Sequence, residues 1–383
     1  MIASAVALRP LLRELGAATE AANRIHPDVH DRCMDAGFYR LLQPRCFGGY
    51  EFDLPTFARV MIEIAAGCAS TGWAVAFTAG HIHVLGKFSE ATQTAVYGLD
   101  GDVRAPLVEG QISSTATPVE GGYRVTGTHD NSSGIDISTH FFGFSKVKDV
   151  NGNETGQVLV LLDRDEYEIE RNWNMLGMMG TGSHRTVVVD QFVALDRAPN
   201  AAPTMGATTP PDQRFLNNSF FVGPSFNVLM TEISSVAIGA GYGVLDEYER
   251  VMQATTVPRT TNSRAADREY LLYYGEAFAM LETAKAALIQ SAEQYMQACD
   301  REIVQPGSFD QAESWRIALI AQRAIRIVGD ATNILFRSAG SSPFVPGKAM
   351  NRWFRDVSTL LTHVTLSYDR WAERAARLHF GLE

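Results

Sequence analysis

The part of the sequence best suited to chemistry is a glycine turn that leads into a β-branched run, WNMLGMMGTGSHRTVVVDQF at positions 173–192. The backbone freedom of the turn comes from three glycines, Gly177, Gly180 and Gly182. A dinucleotide-binding turn has the spacing G-x-G-x-x-G and leads into a helix, whereas this turn has the spacing G-x-x-G-x-G and leads into a predicted strand. It is therefore not of the Rossmann type. Thr181 and Ser183 could hydrogen-bond the polar edge of a flat ligand on which Trp173 stacks, and a tight hairpin without a ligand is the alternative.

Histidines and a short polar stretch are the other candidates for chemistry. His81 and His83 lie in an apolar segment, GWAVAFTAGHIHVLGKF, where a histidine is more often a core or interface residue than a catalytic one. His363 lies in LLTHVTLS near the C-terminus. The stretch THDNSSGIDIS is too polar for a buried strand, and three of its small residues are suited to a ligand-contacting bulge, Ser132, Ser133 and Gly134. A solvated loop is the alternative for this stretch.

Composition argues against several classes of protein. With 383 residues, 46% of them apolar and 20% charged, the chain is long enough for two or three globular domains. Its formal net charge of -10 argues against a nucleic-acid partner, which would require a clustered basic surface. The four cysteines show no C-x-x-C spacing, so we expect neither a metal site nor disulfides, and a reducing cytoplasm fits best. The N-terminus lacks the basic segment of a signal peptide, and neither secretion nor membrane insertion is expected.

The spacing of apolar residues predicts an α+β protein with a helical N-terminal domain, a central β-barrel or sandwich domain and a C-terminal four-helix bundle. The helical domain is predicted to span residues 1–110 and the β-domain residues 111–200. A linker or lid is predicted at 201–218, followed by the bundle at 219–383. Gly121-Gly122 marks a hairpin in the β-domain. The bundle helices are predicted at 225–254, 263–299, 311–338 and 351–380. A cluster of small residues in the first of them indicates a close helix contact or a bound ligand: Gly239, Ala240, Gly241 and Gly243.

The order of these elements, and several motifs, resemble the flavin-dependent monooxygenase branch of the acyl-CoA dehydrogenase superfamily, the two-component group D enzymes. The resemblance covers nearly the whole chain. Its motifs are QP followed by FGG at 43–49, STGW at 70–73, GGYRVTG at 121–127, SSG at 132–134, W-x-x-x-G-x-x-G-T-G-S at 173–183, and Arg355-Asp356 followed by His363.

The resemblance implies an activity. Members of this branch receive reduced FMN or FAD from a separate flavin reductase, add O2 to form a C4a-hydroperoxide, and transfer one oxygen atom to an aromatic or polycyclic small molecule. A homotetramer formed through the bundle is implied as well. N-hydroxylation of an amino-bearing substrate, acyl-CoA dehydrogenation and a non-catalytic scaffold role are the alternatives. A dehydrogenase needs a carboxylate base, which the last helix lacks, although Asp246, Glu247 or Glu249 on the first bundle helix could be so placed.

The resemblance also implies roles for individual residues. Ser132 would face the flavin N5, with Ser133 and Gly134 shaping the strand edge. A general base is needed to deprotonate a phenolic substrate near neutral pH, and a histidine has the ordinary pKa for that task. His363 is the first choice for this base and His81 is the second.

Further contacts follow from the same motifs. Three residues of the glycine turn would contact the flavin or its neighbouring loop, Trp173, Thr181 and Ser183. Arg259, from the same or an adjacent subunit, would bind the flavin phosphate. Asp130 and Asn131 stand where relatives commonly have a Trp-Phe pair, so a polar substrate contact is expected there, and a turn cap is the alternative for Asp130.

Overall fold

The computed structural model describes residues 1–98, 100–108, 112–214, 216 and 218–382. The first 98 residues form six helices: α1 (Ile2–Ala22), α2 (Pro27–Asp35), α3 (Leu54–Gly67), α4 (Ala69–Gly80), α5 (Ile82–Leu85) and α6 (Glu90–Tyr97). Helix α3 begins at Leu54 because the Asp53 side chain accepts the Thr56 N–H at 2.8 Å. Gly37 follows the end of α2 with a φ of 72°, the left-handed conformation that favours glycine after a helix.

The middle of the chain forms one mixed sheet. Its strands are β1 (Leu107–Val108), β2 (Ser113–Val119), β3 (Gly122–Ser132), β4 (His140–Lys148), β5 (Glu154–Asp163), β6 (Glu168–Glu170) and β7 (His184–Ala194). The strand order is β1-β4-β2-β3-β7-β6, with β5 also paired to β4. The predicted hairpin is present, with Val119 opposite Gly122 and a φ of 77° at Gly121. The predicted boundary at residues 110 and 111 lies outside the described residues.

The second half of strand β5, residues 158–162, is buried on both faces, and this joins the sheet to the helices. Val160 and Leu162 belong to a core formed within the β-region, together with residues of β3, β4 and β7. Leu159 and Leu161 belong to the core that the helices share. Because successive side chains of a strand point to opposite faces, this one apolar run packs against both layers.

The C-terminal half is helical. It contains α7 (Ala201–Gly206), α8 (Ser225–Ala254), α9 (Arg268–Val304), α10 (Gln311–Ser338), α11 (Ala349–Leu360) and α12 (Tyr368–His379). The bounds of α8 and α10 are those predicted from the sequence. By length and composition α8 is apolar enough to cross a membrane, but 94% of its apolar window is buried within the protein, as in the core helix of a bundle.

The prediction of one helix over 351–380 is wrong, because the chain leaves the helix between α11 and α12. Two hydrogen bonds hold the break: the carbonyl of Thr365 accepts from Gln322 Nε2 of α10 at 2.5 Å and from Trp371 Nε1 of α12 at 2.7 Å. At the break, His363 has a ψ of 138° and its side chain accepts the Thr365 N–H at the start of a short 3-10 turn. This interruption releases His363 from the helix surface.

The predicted linker or lid at 201–218 contains helix α7, and residues 215 and 217 lie outside the described part of the chain. The segment after α7 is attached to the N-terminal helices through Lys87. The Lys87 ammonium donates to Thr209 Oγ1 at 2.9 Å and to the carbonyls of Val222 and Gly223 at 3.1 and 2.6 Å. Burial lowers the pKa of Lys87 to about 7.

The small-residue cluster of α8 allows close packing of helices. A Cβ on Gly239 would lie 2.4 Å from the carbonyl oxygen of Ile62 in α3, and one on Gly241 would lie 2.5 Å from Leu281 Cδ2 in α9. A Cβ on Gly243 would lie 2.3 Å from the ring of Trp353 in α11. Of the two predicted explanations, a close helix contact accounts for all three glycines.

We expect Gly239→Ala to lower the free energy of unfolding by roughly 1–3 kcal/mol, because the new methyl group meets a backbone atom of α3 that cannot move alone. The gain in helix propensity, about 1 kcal/mol, offsets only part of this loss. Gly275→Ala is the control: it lies within α9 with no heavy atom within 4 Å of an added Cβ. It should raise stability by roughly 0.5–1 kcal/mol. Denaturant unfolding measures both, and equal changes would contradict the packing argument.

Candidate active site

A cavity of about 320 Å³ lies where the sheet, helices α4 and α8 and the connection after α11 meet. Aromatic and apolar side chains form much of its wall, and polar groups are concentrated on two sides. Its principal lining residues are Trp73, Phe77, His81, Asp130, Asn131, Ser133, Trp173, Thr181, Ser183, Ile233, Thr362 and His363. Most of the residues singled out from the sequence therefore meet around one space.

A chain of hydrogen bonds runs along one wall of the cavity. Trp73 Nε1 donates to Ser133 Oγ at 2.9 Å, Ser133 and Ser183 are joined at 2.8 Å, and Ser183 and Thr181 at 2.7 Å. Thr181 Oγ1 donates its own proton to the Met178 carbonyl at 2.8 Å. Since each hydroxyl has one proton, the direction is fixed: Trp73 donates to Ser133, Ser133 to Ser183, and Ser183 to Thr181. Each of these hydroxyls already donates its proton within the chain, so toward a ligand they can only accept hydrogen bonds.

The structure places Ser132 differently from its neighbour Ser133. Ser132 Oγ donates to the His129 carbonyl at 3.1 Å and accepts from Thr186 Oγ1 at 2.9 Å, and it does not line the cavity. The cause is a bulge between His129 and Ser132, where Asn131 adopts a φ of 66°. Of the two serines, Ser133 therefore presents its hydroxyl to the cavity, and Ser132, which was expected to do so, supports the strand from behind.

Asp130 and Asn131 lie at the edge of the cavity. Asp130 is about half exposed, and its carboxylate accepts from Arg185 Nε at 2.7 Å. The neighbouring Gly134 has a φ of 74°, and its N–H donates to the Thr181 carbonyl at 2.9 Å. That bond joins the end of β3 to the glycine turn.

The glycine turn is clamped between α1 and α11. A Cβ on Gly177 would lie 2.2 Å from the carbonyl oxygen of Arg355, so the two backbones are in direct contact. Asp356 Oδ1 accepts the Met178 N–H at 2.6 Å, and Asn23 Nδ2 donates to the Trp173 carbonyl at 2.6 Å. Burial raises the pKa of Asp356 to about 6, and the Met178 hydrogen bond opposes that rise. The Arg-Asp motif is therefore what holds the turn in place.

His363 projects from the break between α11 and α12 into the cavity. Its Nδ1 lies 2.6 Å from Thr365 Oγ1, and its ring meets Trp73 edge-on with centroids 5.2 Å apart. Burial lowers the pKa of His363 to about 4, so the ring is neutral at physiological pH. Because Nδ1 accepts the Thr365 N–H, the proton of the neutral ring lies on Nε2, which can donate one hydrogen bond.

His81 lies on the same cavity, beside a carboxylate that the sequence analysis missed. Its Nε2 is 3.3 Å from a carboxylate oxygen of Glu232 on α8, and both side chains are buried. A signal was available, because Glu232 is the one charged residue in the run from Phe226 to Gly243. His83 points elsewhere, with Nδ1 3.0 Å from Ser225 Oγ and Nε2 2.9 Å from the Phe220 carbonyl.

Several expected site residues are not brought to the cavity. Arg259 has a φ of 65° in the exposed loop between α8 and α9 and does not line the cavity in this chain. The acids considered as dehydrogenase bases are also elsewhere: Asp246 pairs with Arg13, and Glu247 pairs with Arg250. Arg259 remains a prediction that depends on a neighbouring subunit.

Comparison with known proteins gives two family matches and full-length relatives. Residues 7–97 match the N-terminal domain and residues 231–368 the C-terminal domain of acyl-CoA dehydrogenase. The oxygenase subunit HsaA of a flavin-dependent monooxygenase from Rhodococcus jostii is 30% identical over 388 residues, covering 98% of this chain and 97% of that protein. The oxygenase component of p-hydroxyphenylacetate 3-hydroxylase from Acinetobacter baumannii is 24% identical, covering 98% and 88%.

Solved structures agree with these matches. The crystal structure of 3-HSA hydroxylase from Rhodococcus sp. RHA1 superposes with a TM-score of 0.88 at 28% identity, covering 98% of this chain and 95% of that one. XiaF from Streptomyces sp., in complex with FADH2 and glycerol, superposes with a TM-score of 0.91 at 22% identity, covering 100% and 95%, which supports the fold alone.

The fold is thus that of the acyl-CoA dehydrogenases, as predicted. Within that superfamily, the chain belongs to the oxygenase components of flavin-dependent monooxygenases, and it is an oxidoreductase that uses reduced flavin.

The residues around the cavity fit this cofactor. Trp73, Phe77 and Trp173 offer flat apolar surface for a ring system, and the hydroxyls of Ser133 and Ser183 offer acceptors to the polar edge of such a ring. Reduced FMN and reduced FAD share this ring system, so the cavity wall suits both.

The clamp on the glycine turn predicts a pH-dependent effect of Asp356→Asn, which keeps the Oδ1 acceptor but removes the charge. In the folded protein the pKa of Asp356, about 6, lies above the ordinary value of an aspartate, about 4, so the ionisation of this group lowers wild-type stability as the pH rises from about 4 to about 6. The loss is roughly 3 kcal/mol above pH 6. In thermal unfolding, the stability of Asp356→Asn relative to wild type should therefore be higher at about pH 7.5 than at about pH 4.

Asp356→Ala is the matched comparison, because it also removes the acceptor of the Met178 N–H. It should destabilise the protein by about 1–3 kcal/mol at about pH 4, and at about pH 7.5 it should be less stable than Asp356→Asn by a similar amount, because both variants remove the charge and only Ala loses the acceptor. A stability difference between Asp356→Asn and wild type that does not change with pH would contradict a buried charge at this position.

Proposed function

We propose that the chain accepts reduced flavin from a separate flavin reductase and hydroxylates an aromatic or polycyclic small molecule that carries a hydroxyl group. The names of its relatives, which include a p-hydroxyphenylacetate hydroxylase and a resorcinol hydroxylase, support this substrate class. When bound, reduced flavin supplies, with O2, the oxygen atom that enters the substrate and the electrons that reduce the second oxygen atom to water. The chain itself must bind the ring, exclude water and manage a proton.

The directed hydroxyl chain is the observation that carries the proposal. Reduced flavin bears an N5–H that oxidised flavin lacks. Ser133 accepts one hydrogen bond from Trp73 and donates one to Ser183, which leaves one lone pair free to accept that N–H. The wall therefore favours the reduced ring, which is the form that a separate reductase delivers.

The histidines are proposed to act on the substrate. His363 and His81 both line the cavity, and the His363 ring contacts that of Trp73. His363 is neutral and its pKa of about 4 makes it a weak base, so we assign it to hydrogen-bonding of the substrate oxygen through Nε2. An amine substrate is less suitable, because the cavity-edge carboxylate of Asp130 is already paired with Arg185.

Mixing with reduced flavin and then with oxygen tests the function. Anaerobic titration should show tighter binding of reduced than of oxidised flavin, and oxygen should yield oxidised flavin only after a delay compared with free flavin. Immediate reoxidation at the rate of free flavin would contradict the proposal.

Ser133→Ala sharpens the same experiment. Loss of one acceptor should weaken binding of reduced flavin about fivefold to tenfold, the scale of one neutral hydrogen bond, and shorten the delay. Ser138→Ala is the control, because Ser138 donates to the Gly134 carbonyl in the same loop and does not line the cavity. Equal effects of the two variants would remove Ser133 from flavin binding.

We also propose that the protein is a homotetramer assembled through the bundle. Exposed apolar residues on α9 support this, since Leu271, Leu272 and Phe278 are 50%, 59% and 45% exposed in the single chain. Light scattering at micromolar concentration should give about four times the 42.0 kDa chain mass. The double variant Leu271→Glu with Leu272→Glu should reduce it, whereas Val150→Glu, in the turn after β4, should not. A 42.0 kDa species in the wild type would contradict the proposal.

A further inference from the structure

A carboxylate is buried directly behind the cavity, and the reaction described so far does not use it. Glu232 is 0% exposed, and neither of its oxygens has a hydrogen-bond partner of good geometry among the described residues. Its ionic neighbour is His81, whose Nε2 lies 3.3 Å from Oε2 and which is 1% exposed. The other ring nitrogen, Nδ1, is buried without a protein partner.

An isolated carboxylate in such a place is costly, because burial in a medium of low dielectric opposes its charge. Burial raises the pKa of Glu232, and the neighbouring His81 opposes that rise. The pair is thus built so that a positive charge on His81 and a negative charge on Glu232 stabilise each other. Neither partner is exposed enough for solvent to take over that role.

The local backbone is arranged for this contact. A Cβ at Gly80 would lie 2.0 Å from Glu232 Oε1, so any other residue there would exclude the carboxylate. Helix α4 ends at Gly80, which places His81 at the C-terminal end of the helix. The contact between the His81 ring and the carboxylate therefore depends on the absence of a side chain at Gly80.

The other two histidines of the region, His83 and His363, have no buried carboxylate beside the ring in the part of the chain that the structure describes. Burial lowers the pKa of His83 well below its ordinary value, and both of its ring nitrogens are engaged by Ser225, Phe220 and Tyr295. His363 has a hydroxyl as its neighbour, Thr365. Besides His81, the ionisable side chains on the described cavity wall are His363 and Asp130, and Asp130 is paired with Arg185.

We propose that Glu232 is a positioning residue that makes His81 the proton acceptor for a phenolic substrate. The Glu232 carboxylate holds the Nε2–H of His81, so Nδ1 carries the lone pair. The O–H bond of the phenol breaks as Nδ1 takes the proton, which leaves a phenolate and an imidazolium next to the carboxylate. No electron transfer is involved. This inference rests on the proposed function, since it specifies the substrate as a phenol.

The test uses the full-length protein without flavin, and 4-nitrophenol as the probe, because its phenolate is coloured. The absorbance of bound 4-nitrophenol is recorded against pH for wild type, Glu232→Gln, His81→Gln and His363→Gln. In wild type, the bound probe should ionise about one pH unit below the probe in Glu232→Gln and His81→Gln, the scale expected for loss of a nearby opposite charge. His363→Gln, which keeps an N–H donor for the substrate oxygen, should shift this ionisation less than Glu232→Gln does.

The glutamine at position 232 preserves shape, so folding can be checked separately by circular dichroism and by anaerobic binding of reduced flavin, both of which should match wild type. The proposal is overturned if the bound probe ionises at the same pH in Glu232→Gln as in wild type, or if His363→Gln is the variant that raises this pH most. It is also overturned if the probe ionises at the same pH bound to wild type as it does free in solution.

This result separates the inference from the proposed function. If wild type shows the shift that depends on Glu232 but reoxidises flavin without delay, the acid-histidine pair stands and the monooxygenase mechanism fails. If flavin reoxidation is delayed but the probe titrates alike in wild type and Glu232→Gln, only the role of Glu232 fails.

Discussion

The close contact between the glycine turn and α11 is the constraint on which the site depends. Because Gly177 has no side chain, the turn backbone touches the Arg355 carbonyl, and the buried Asp356 then accepts the Met178 N–H. Helix α11 also leads into the connection that carries His363. This one contact therefore fixes the position of the hydroxyl chain relative to His363. The burial of a carboxylate, normally unfavourable, is offset by the hydrogen bond that it provides.

Two sides of the cavity have different chemistry. One presents a fixed sequence of hydroxyl hydrogen bonds that ends at a carbonyl, so its free capacity is to accept. The other presents two histidines, which can hold or release a proton. A reduced flavin ring and a phenolic substrate have complementary needs, since the ring offers an N–H and the phenol loses a proton.

Burial lowers the pKa of His363 and of His83, two of the histidines of this region. What distinguishes His81 is the buried Glu232 beside it. The same low dielectric that makes an unpaired charge costly strengthens the attraction within a pair. A dry cavity, which protects reactive chemistry from water, can therefore still contain a base, provided that its counter-charge is buried with it.

The sequence by itself determined the kinds of elements, their order, the hairpin at Gly121 and the resemblance to a flavin-dependent family, because periodicity, turn residues and short motifs are local properties. Tertiary structure decided which side chains reach the cavity. The bulge before Ser132 turns it inward and leaves Ser133 on the cavity, since one extra residue reverses the alternation of a strand. The helix break that frees His363 is held by Gln322 of α10, and the charge partner of His81 comes from α8. Such contacts join residues that are far apart in the chain, so local sequence patterns cannot predict them.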